Sequence, residues 1–216
     1  MRDHLFNSSV NLEDPIILRN LSEPEAGKIL YDSFKKAINA LTIQDSGSFE
    51  DGGSTEVEGW MSLSDTRPFR TDYRAYLNAN KSIFNKVVGE PNSGGFELRF
   101  AAFLEEASDV QSFAKNYLAV GFKLDYVKAN GDLSTYTPDF IVRTADGVIW
   151  IVETKGRTEL DLPQKMTRLK QWCADATATK ENNQHYNFVF VDQNGFETHA
   201  PKTFTSLATS FTEYKN

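Results

Sequence analysis

The chain predicts an α/β fold, a mixed sheet flanked by helices with an N-terminal helical and irregular extension. Three observations predict it. Helical and extended stretches follow one another as helix, strands, helix, strand, helix, an order that suits helices packed on a sheet. The segments 137–155 and 186–192 are apolar runs broken by turn signals, as buried strands are. Phe is abundant, 16 of 216 residues, with apolar content at 40%, enough for a sizeable core.

Residues 1–22 carry no strong periodicity. Ser22 is a helix cap with Pro24 in the first turn and Glu25 at capping-box spacing. The helix that follows runs from about Glu25 to Leu41, with Ile29, Leu30, Phe34, Ala37, Ile38 and Leu41 on one face. "QDSGSFEDGGST" (44–55) is polar, acidic and rich in Gly and Ser, the composition of a loop. "EVEGWMSLS" (56–64) alternates loosely as a strand, and "DTRPFRTDYRAY" (65–76), with Pro68, is irregular. "EPNSGG" (90–95) is the clearest internal break and the candidate boundary between 1–93, which the resemblance given below implies is a connector region, and a domain over 94–216.

Beyond the break, Phe96 to Glu106 forms a helix with Phe96, Phe100, Phe103 and Leu104 in its apolar stripe. "DVQSFAK", read as a loop, leads to "FKLDYVKANGDLSTYTPDF", where Asn130-Gly131 between two β-rich runs signals a hairpin. A second hairpin spans "TPDFIVRTADGVIWIVETKG" (137–156) and turns at Asp146-Gly147. Leu162, Met166, Leu169, Cys173 and Ala176 mark an amphipathic helix over 162–178, "YNFVFVD" (186–192) a buried strand, and "FTSLATSFTEY" a short helix.

Net charge is −7, so any contact with nucleic acid must rest on a local basic patch or on a partner. The single cysteine, Cys173, excludes an internal disulfide and a CxxC zinc site, and His4, His185 and His199 have no ligand spacing. A reducing, cytoplasmic compartment fits, and no apolar run has signal-peptide or membrane length.

The second hairpin carries the chemistry. Alternation places Glu153 and Lys155 on one face of their strand and Asp139 on the same face as Ile141. If the strands pair around 145–147, Asp139 and Glu153 converge at the open end of the hairpin beside the Lys155 ammonium. Two carboxylates suit Mg²⁺, a hard ion that keeps several waters and shares them with a phosphate. Lys155 would orient the attacking water. Pro138 biases Thr137 toward extended geometry and so fixes where Asp139 projects.

An isolated ExK means little; Pro-Asp 14 residues before the Glu, on paired strands, means more. A surface Glu–Lys pair on an exposed hairpin is the plainer alternative. Glu97, at the start of its helix, is either a carboxylate favoured by the helix N-terminus or a third acid for a metal or its water. Arg157, Lys165 and Arg168, with Lys155 and Lys170, compose a basic strip for phosphates or a solvated helix face. Gln164, in the first turn of that helix, either reaches the site or is a polar surface residue.

Glu97, Pro138-Asp139 and Glu153-Thr154-Lys155, in that order and setting, resemble the PD-(D/E)xK nuclease superfamily. "LSDTRPF" (63–69), "KSIFNKVVGE" (81–90), "FELRFAAFLEE" (96–106), "TPDFIVR" (137–143), "IVETKGR" (151–157) and "LKQWC" (169–173) look like the C-terminal part of the restriction subunit of type III restriction–modification enzymes. The resemblance implies a restriction-endonuclease-like α/β/α core over 94–216 that cuts double-stranded DNA with Mg²⁺, or Mn²⁺ in its place. It implies metal ligation by Asp139 and Glu153, with Glu97 a less certain member, and water activation by Lys155. It further implies an ATPase motor region and a DNA methyltransferase subunit as partners. No GxxxxGK(S/T) sequence occurs here, so no ATP site is expected in this chain. Two other readings share these motifs: a nuclease-like fold that only binds DNA or protein, and an exonuclease or junction resolvase.

Overall fold

In the computed structural model, the residues described are 11, 13–21, 23–49, 62–71, 75–89, 95–155, 160–179 and 183–215. They belong to two compact units, Met1–Thr55 and Glu56–Asn216.

The first unit contains helices α1 (Pro15–Leu21) and α2 (Pro24–Phe49). The helix expected to end near Leu41 thus continues through Gln44–Phe49, the first half of the expected loop. Extending an existing helix adds one backbone hydrogen bond per residue, which offsets the poor propensity of Ser46 and the roughly 1 kcal/mol penalty of Gly47. The proposed cap at Ser22, residues 50–55 of the loop and most of the strand expected at 56–64 lie outside the described residues. The end of that strand, Leu63–Asp65, is a single 3₁₀ turn.

The second unit opens with a small antiparallel pair, β1 (Tyr76–Asn78) and β2 (Lys86–Val88). Helix α3 (Phe96–Glu106) follows with the bounds that its periodicity predicts; Phe96, Phe100 and Leu104 of the expected stripe are buried together with Ala101, while Phe103 is half-buried at its margin. β1 and β2 pack against it. Residues upstream of the "EPNSGG" break therefore belong to the same compact unit as α3.

"DVQSFAK" is not a loop but contains strand β3 (Val110–Lys115). Its alternation is irregular because the register against its partner shifts between Val110 and Ser112, which hides the period of two. The first hairpin is β4 (Leu124–Val127) and β5 (Leu133–Tyr136), the second β6 (Phe140–Thr144) and β7 (Ile149–Lys155). Helix α4 (Leu162–Ala178) and strand β8 (Tyr186–Asp192) match their predicted bounds. Helix α5 (Gln193–His199) lies where the spacing predicts no element; it starts where Asp192 Oδ1 accepts the Gly195 N–H at 2.7 Å. Helix α6 (Phe204–Ser210) closes the unit with a Thr203–Ser206 capping box.

The sheet runs β3-β6-β7-β8, antiparallel except for the parallel β7–β8 pair. Both faces are covered. On one, Phe140, Val142, Val152, Val189 and Val191 pack with Phe96, Phe100 and Leu104 of α3 and with Phe204 and Leu207 of α6. On the other, Ile141, Ile151, Phe188 and Phe190 pack with Leu162, Met166, Leu169 and Cys173 of α4 and with Leu124, Tyr126 and Tyr136 of the first hairpin. Strands covered on two sides must be apolar at odd and even positions alike, which explains the continuous apolar runs. The class is α/β, a mixed sheet flanked by helices. Among the described residues no helix is long and apolar enough to cross a membrane.

Phe100 is fully enclosed, with ring centroids 5.3 Å from Phe140 and 5.7 Å from Phe103 and Phe196. Its replacement by Ala should lower stability by about 3–5 kcal/mol, read as a reduced urea midpoint with little change in slope. A loss under about 1 kcal/mol would mean that α3 does not seal this face.

Candidate metal and phosphate site

The second hairpin is set by its turn. Gly147 has φ +88° and donates its N–H to the Thr144 carbonyl at 2.9 Å, while Asp146 Oδ1 accepts Thr144 Oγ1 at 2.6 Å and the Val148 N–H at 3.2 Å. The turn sets the register at Phe140 opposite Val152, and the Asp139 N–H reaches the Val152 carbonyl at 3.0 Å. Asp139 thus sits just beyond the ladder, and its charge is felt at Glu153. A third strand end joins them: the Asn116 N–H donates to the Asp139 carbonyl at 2.7 Å, and Asn116 Nδ2 donates to the carbonyls of Pro138 and Phe122 at 2.8 Å.

Asp139 Oδ2 accepts the Thr154 N–H at 2.7 Å and the Thr154 hydroxyl at 2.6 Å. Burial holds the Asp139 carboxyl above its usual range; the Glu97 charge adds to this, while the Thr154 hydrogen bonds and the Lys115 charge oppose it. Glu153 is buried, 2% exposed. Its Oε2 accepts the Tyr136 hydroxyl at 2.9 Å and its Oε1 lies 3.4 Å from Lys155 Nζ. Burial, and then the Asp139 charge, push the Glu153 carboxyl up to about 8 against the pull of Lys155, Tyr136 and Lys165. The Tyr136 phenol is raised in turn, chiefly by burial and then by the Glu153 and Asp139 charges.

Asp139, Glu153 and Lys155 are therefore brought to one end of the β6–β7 hairpin. Lys165 joins them from the first turns of α4, with Nζ 5.5 Å and 5.8 Å from the ring centroids of Tyr136 and Tyr126 and its charge felt at Glu153. The side-chain oxygen of Gln164, on the same turn, is enclosed, as is Asn116 Oδ1, and neither has a hydrogen-bond partner among the described residues. Arg168 Nε donates to the Asp125 carbonyl at 3.1 Å, an exposed bond that braces α4 against β4. Arg157 and Gly156 lie outside the described residues.

Glu97 stands in the first turn of α3, where its carboxylate meets Lys115 Nζ at 2.5 Å. Among the described residues no group of three or more His, Cys, Asp or Glu side chains is gathered as for a metal ion. The donor set at the hairpin end is thus the pair Asp139 and Glu153. Its chemistry fits a divalent ion: a buried carboxylate, Glu153, whose proton affinity is raised by the partly buried Asp139 beside it, is what a doubly charged cation, with its preference for hard oxygen, would stabilise.

Sequence reasoning missed four contributors: Lys115, Asn116, Thr154 and Tyr136. Thr154 was in view as the middle of Glu153-Thr154-Lys155, but only as a residue facing away from its neighbours. Lys115 left one signal, a charged residue closing an apolar run, "SFAK". Compared with known proteins, the chain matches no family model, no curated protein and no solved structure.

The Glu153 carboxyl gives a signed pH prediction. A folded-state value near 8, above the ordinary 4.5, contributes stability that is complete below pH 4.5 and is lost as pH rises through 8. Without divalent ions, Glu153→Gln should therefore unfold at a higher temperature than the parent at pH 9, with the difference closing by pH 4. Parallel Tm–pH curves for the two proteins would refute the perturbed carboxyl.

Proposed function

We propose that the second unit is a metal-dependent endonuclease domain that hydrolyses phosphodiester bonds of double-stranded DNA. Its core is read as restriction-endonuclease-like, with a PD-(D/E)xK site, and its setting as a type III-like restriction system. The observation that carries the reading is the partly buried Asp139 beside the buried Glu153 at one end of the hairpin, with the Lys155 ammonium 3.4 Å from Glu153.

Asp139 and Glu153 would hold Mg²⁺, or Mn²⁺ in its place. When bound, the ion supplies charge stabilisation for the phosphate oxygens and makes a bound water more acidic. Thr154 fixes the Asp139 carboxylate through two hydrogen bonds, and Tyr136 fixes Glu153 through one, so neither acid has to reorganise. Lys155, 28% exposed in its side chain, holds its ammonium beside Glu153, where it would orient the attacking water and offset charge growing on the phosphate. Lys165, with Arg157 and Gln164, supplies contacts to the DNA backbone. The reaction adds one water across a P–O bond and yields a phosphate monoester and a free hydroxyl. An ATPase motor region and a methyltransferase subunit would complete such a system.

Plasmid DNA tests the reading. With Mg²⁺ or Mn²⁺ the protein should nick or linearise plasmid, EDTA should stop it, and Asp139→Ala or Glu153→Ala should abolish it with circular dichroism unchanged. Lys155→Ala should slow it by roughly 10²-fold or more. Undiminished cleavage by these variants would dismiss the site as assigned. No cleavage with any divalent ion, alongside retained DNA binding, would favour the non-catalytic module, for which the net charge of −7 is the motive.

A further inference from the structure

The Lys115–Glu97 pair is a second lysine–carboxylate contact at the same end of the sheet. Lys115 ends β3 opposite Phe140, the residue after Asp139, and the next backbone N–H, of Asn116, is bonded to the Asp139 carbonyl. Its side chain is 4% exposed and that of Glu97 15%. The ammonium is boxed in: Glu97 Oε2 lies 2.5 Å away, and the Tyr117 and Phe140 ring centroids lie at 5.3 Å and 5.5 Å. A lysine so enclosed does not wander, and the carboxylate it grips is committed to it. Both charges are nonetheless close enough to bear on Asp139, in opposite senses.

We propose that Lys115 is a positioning residue that holds the Glu97 carboxylate away from the Asp139–Glu153 pair, so that a divalent ion meets two protein carboxylates and not three. This rests on the reading of Asp139 and Glu153 as ion ligands. Breaking a buried ion pair on one side leaves an uncompensated charge, which is strongly unfavourable. Freed from Lys115, the Glu97 carboxylate has a compensating partner within the same site, the divalent ion beside Asp139. Lys115 thereby sets how tightly the ion is held. An ion held by fewer carboxylates keeps more positions for water and phosphate oxygens, as a phosphate-directed site needs.

The test is Mn²⁺ titration followed by electron paramagnetic resonance, without DNA. Lys115→Met should bind Mn²⁺ more tightly than the parent by roughly tenfold, the lower end of what a change in a metal site's supporting shell produces. The double variant Lys115→Met/Glu97→Gln should lose that gain, and Lys115→Arg, which can still grip Glu97, should keep parental affinity. A purely structural role for Lys115 predicts weaker binding, never tighter. If Lys115→Met is unfolded without the ion, recovery of its far-UV circular dichroism on adding Mn²⁺ supports the proposal, and no recovery overturns it. Tight parental binding that Lys115→Met fails to improve overturns the Lys115 assignment alone, as does a tenfold loss of affinity in Glu97→Gln. Failure of both parent and Lys115→Met to bind Mn²⁺ overturns the ion-binding reading with it.

Discussion

A buried carboxyl group, Glu153, with a partly buried one, Asp139, beside it at the end of a sheet is the constraint on which the rest of the second unit turns. Each is costly to ionise where it sits, because desolvation and a nearby carboxylate oppose the charge, Glu97 for Asp139 and Asp139 for Glu153. Asp139 is stabilised by two hydrogen bonds from Thr154, and Glu153 by one from Tyr136 and by the nearby Lys155. The remaining tension is visible in Glu153, whose carboxyl is held near 8. A protein that needed only stability would place apolar residues here, as it does one position away at Val152 and Phe140.

The surrounding fold supplies the rigidity that such a pair requires. Rows of enclosed side chains on both faces hold β6 and β7 between α3 and α4. Because the hairpin turn sets the register, a slip of one residue would exchange Glu153 with Val152 or Thr154 and dismantle both the core and the acid pair. Packing and chemistry are thus coupled through the same hydrogen-bond ladder. The same coupling reaches β3: Asn116 ties Pro138 and Asp139 to the strand that carries Lys115.

Positive charge is arranged locally against an acidic whole. Lys155 and Lys165 approach Glu153 from β7 and α4, while Lys115 is buried with Glu97 on α3. Arg168, which the spacing alone makes equivalent to Lys165, faces a backbone carbonyl of β4 instead. Both residues meet the first hairpin, Lys165 over the rings of Tyr126 and Tyr136 and Arg168 at the Asp125 carbonyl, and of the two it is Lys165 whose charge reaches Glu153.

The sequence by itself determined the elements of the core and the acid pair. Apolar spacing located α3, α4 and β8 with their bounds, and turn chemistry at Asn130-Gly131 and Asp146-Gly147 located both hairpins, because these signals are local and repeat within a few residues. Alternation and the hairpin then brought Asp139 toward Glu153 without further information. It left β3 unread, where a shifted register masks the period, and ended α2 too early, where propagation outweighs propensity. Only the tertiary structure decided the partners. Lys115 stands 18 residues from Glu97, and Tyr136 stands 17 from Glu153. Whether a lysine at a strand end meets a carboxylate or open water depends on which helix crosses that strand, and no local spacing encodes the crossing.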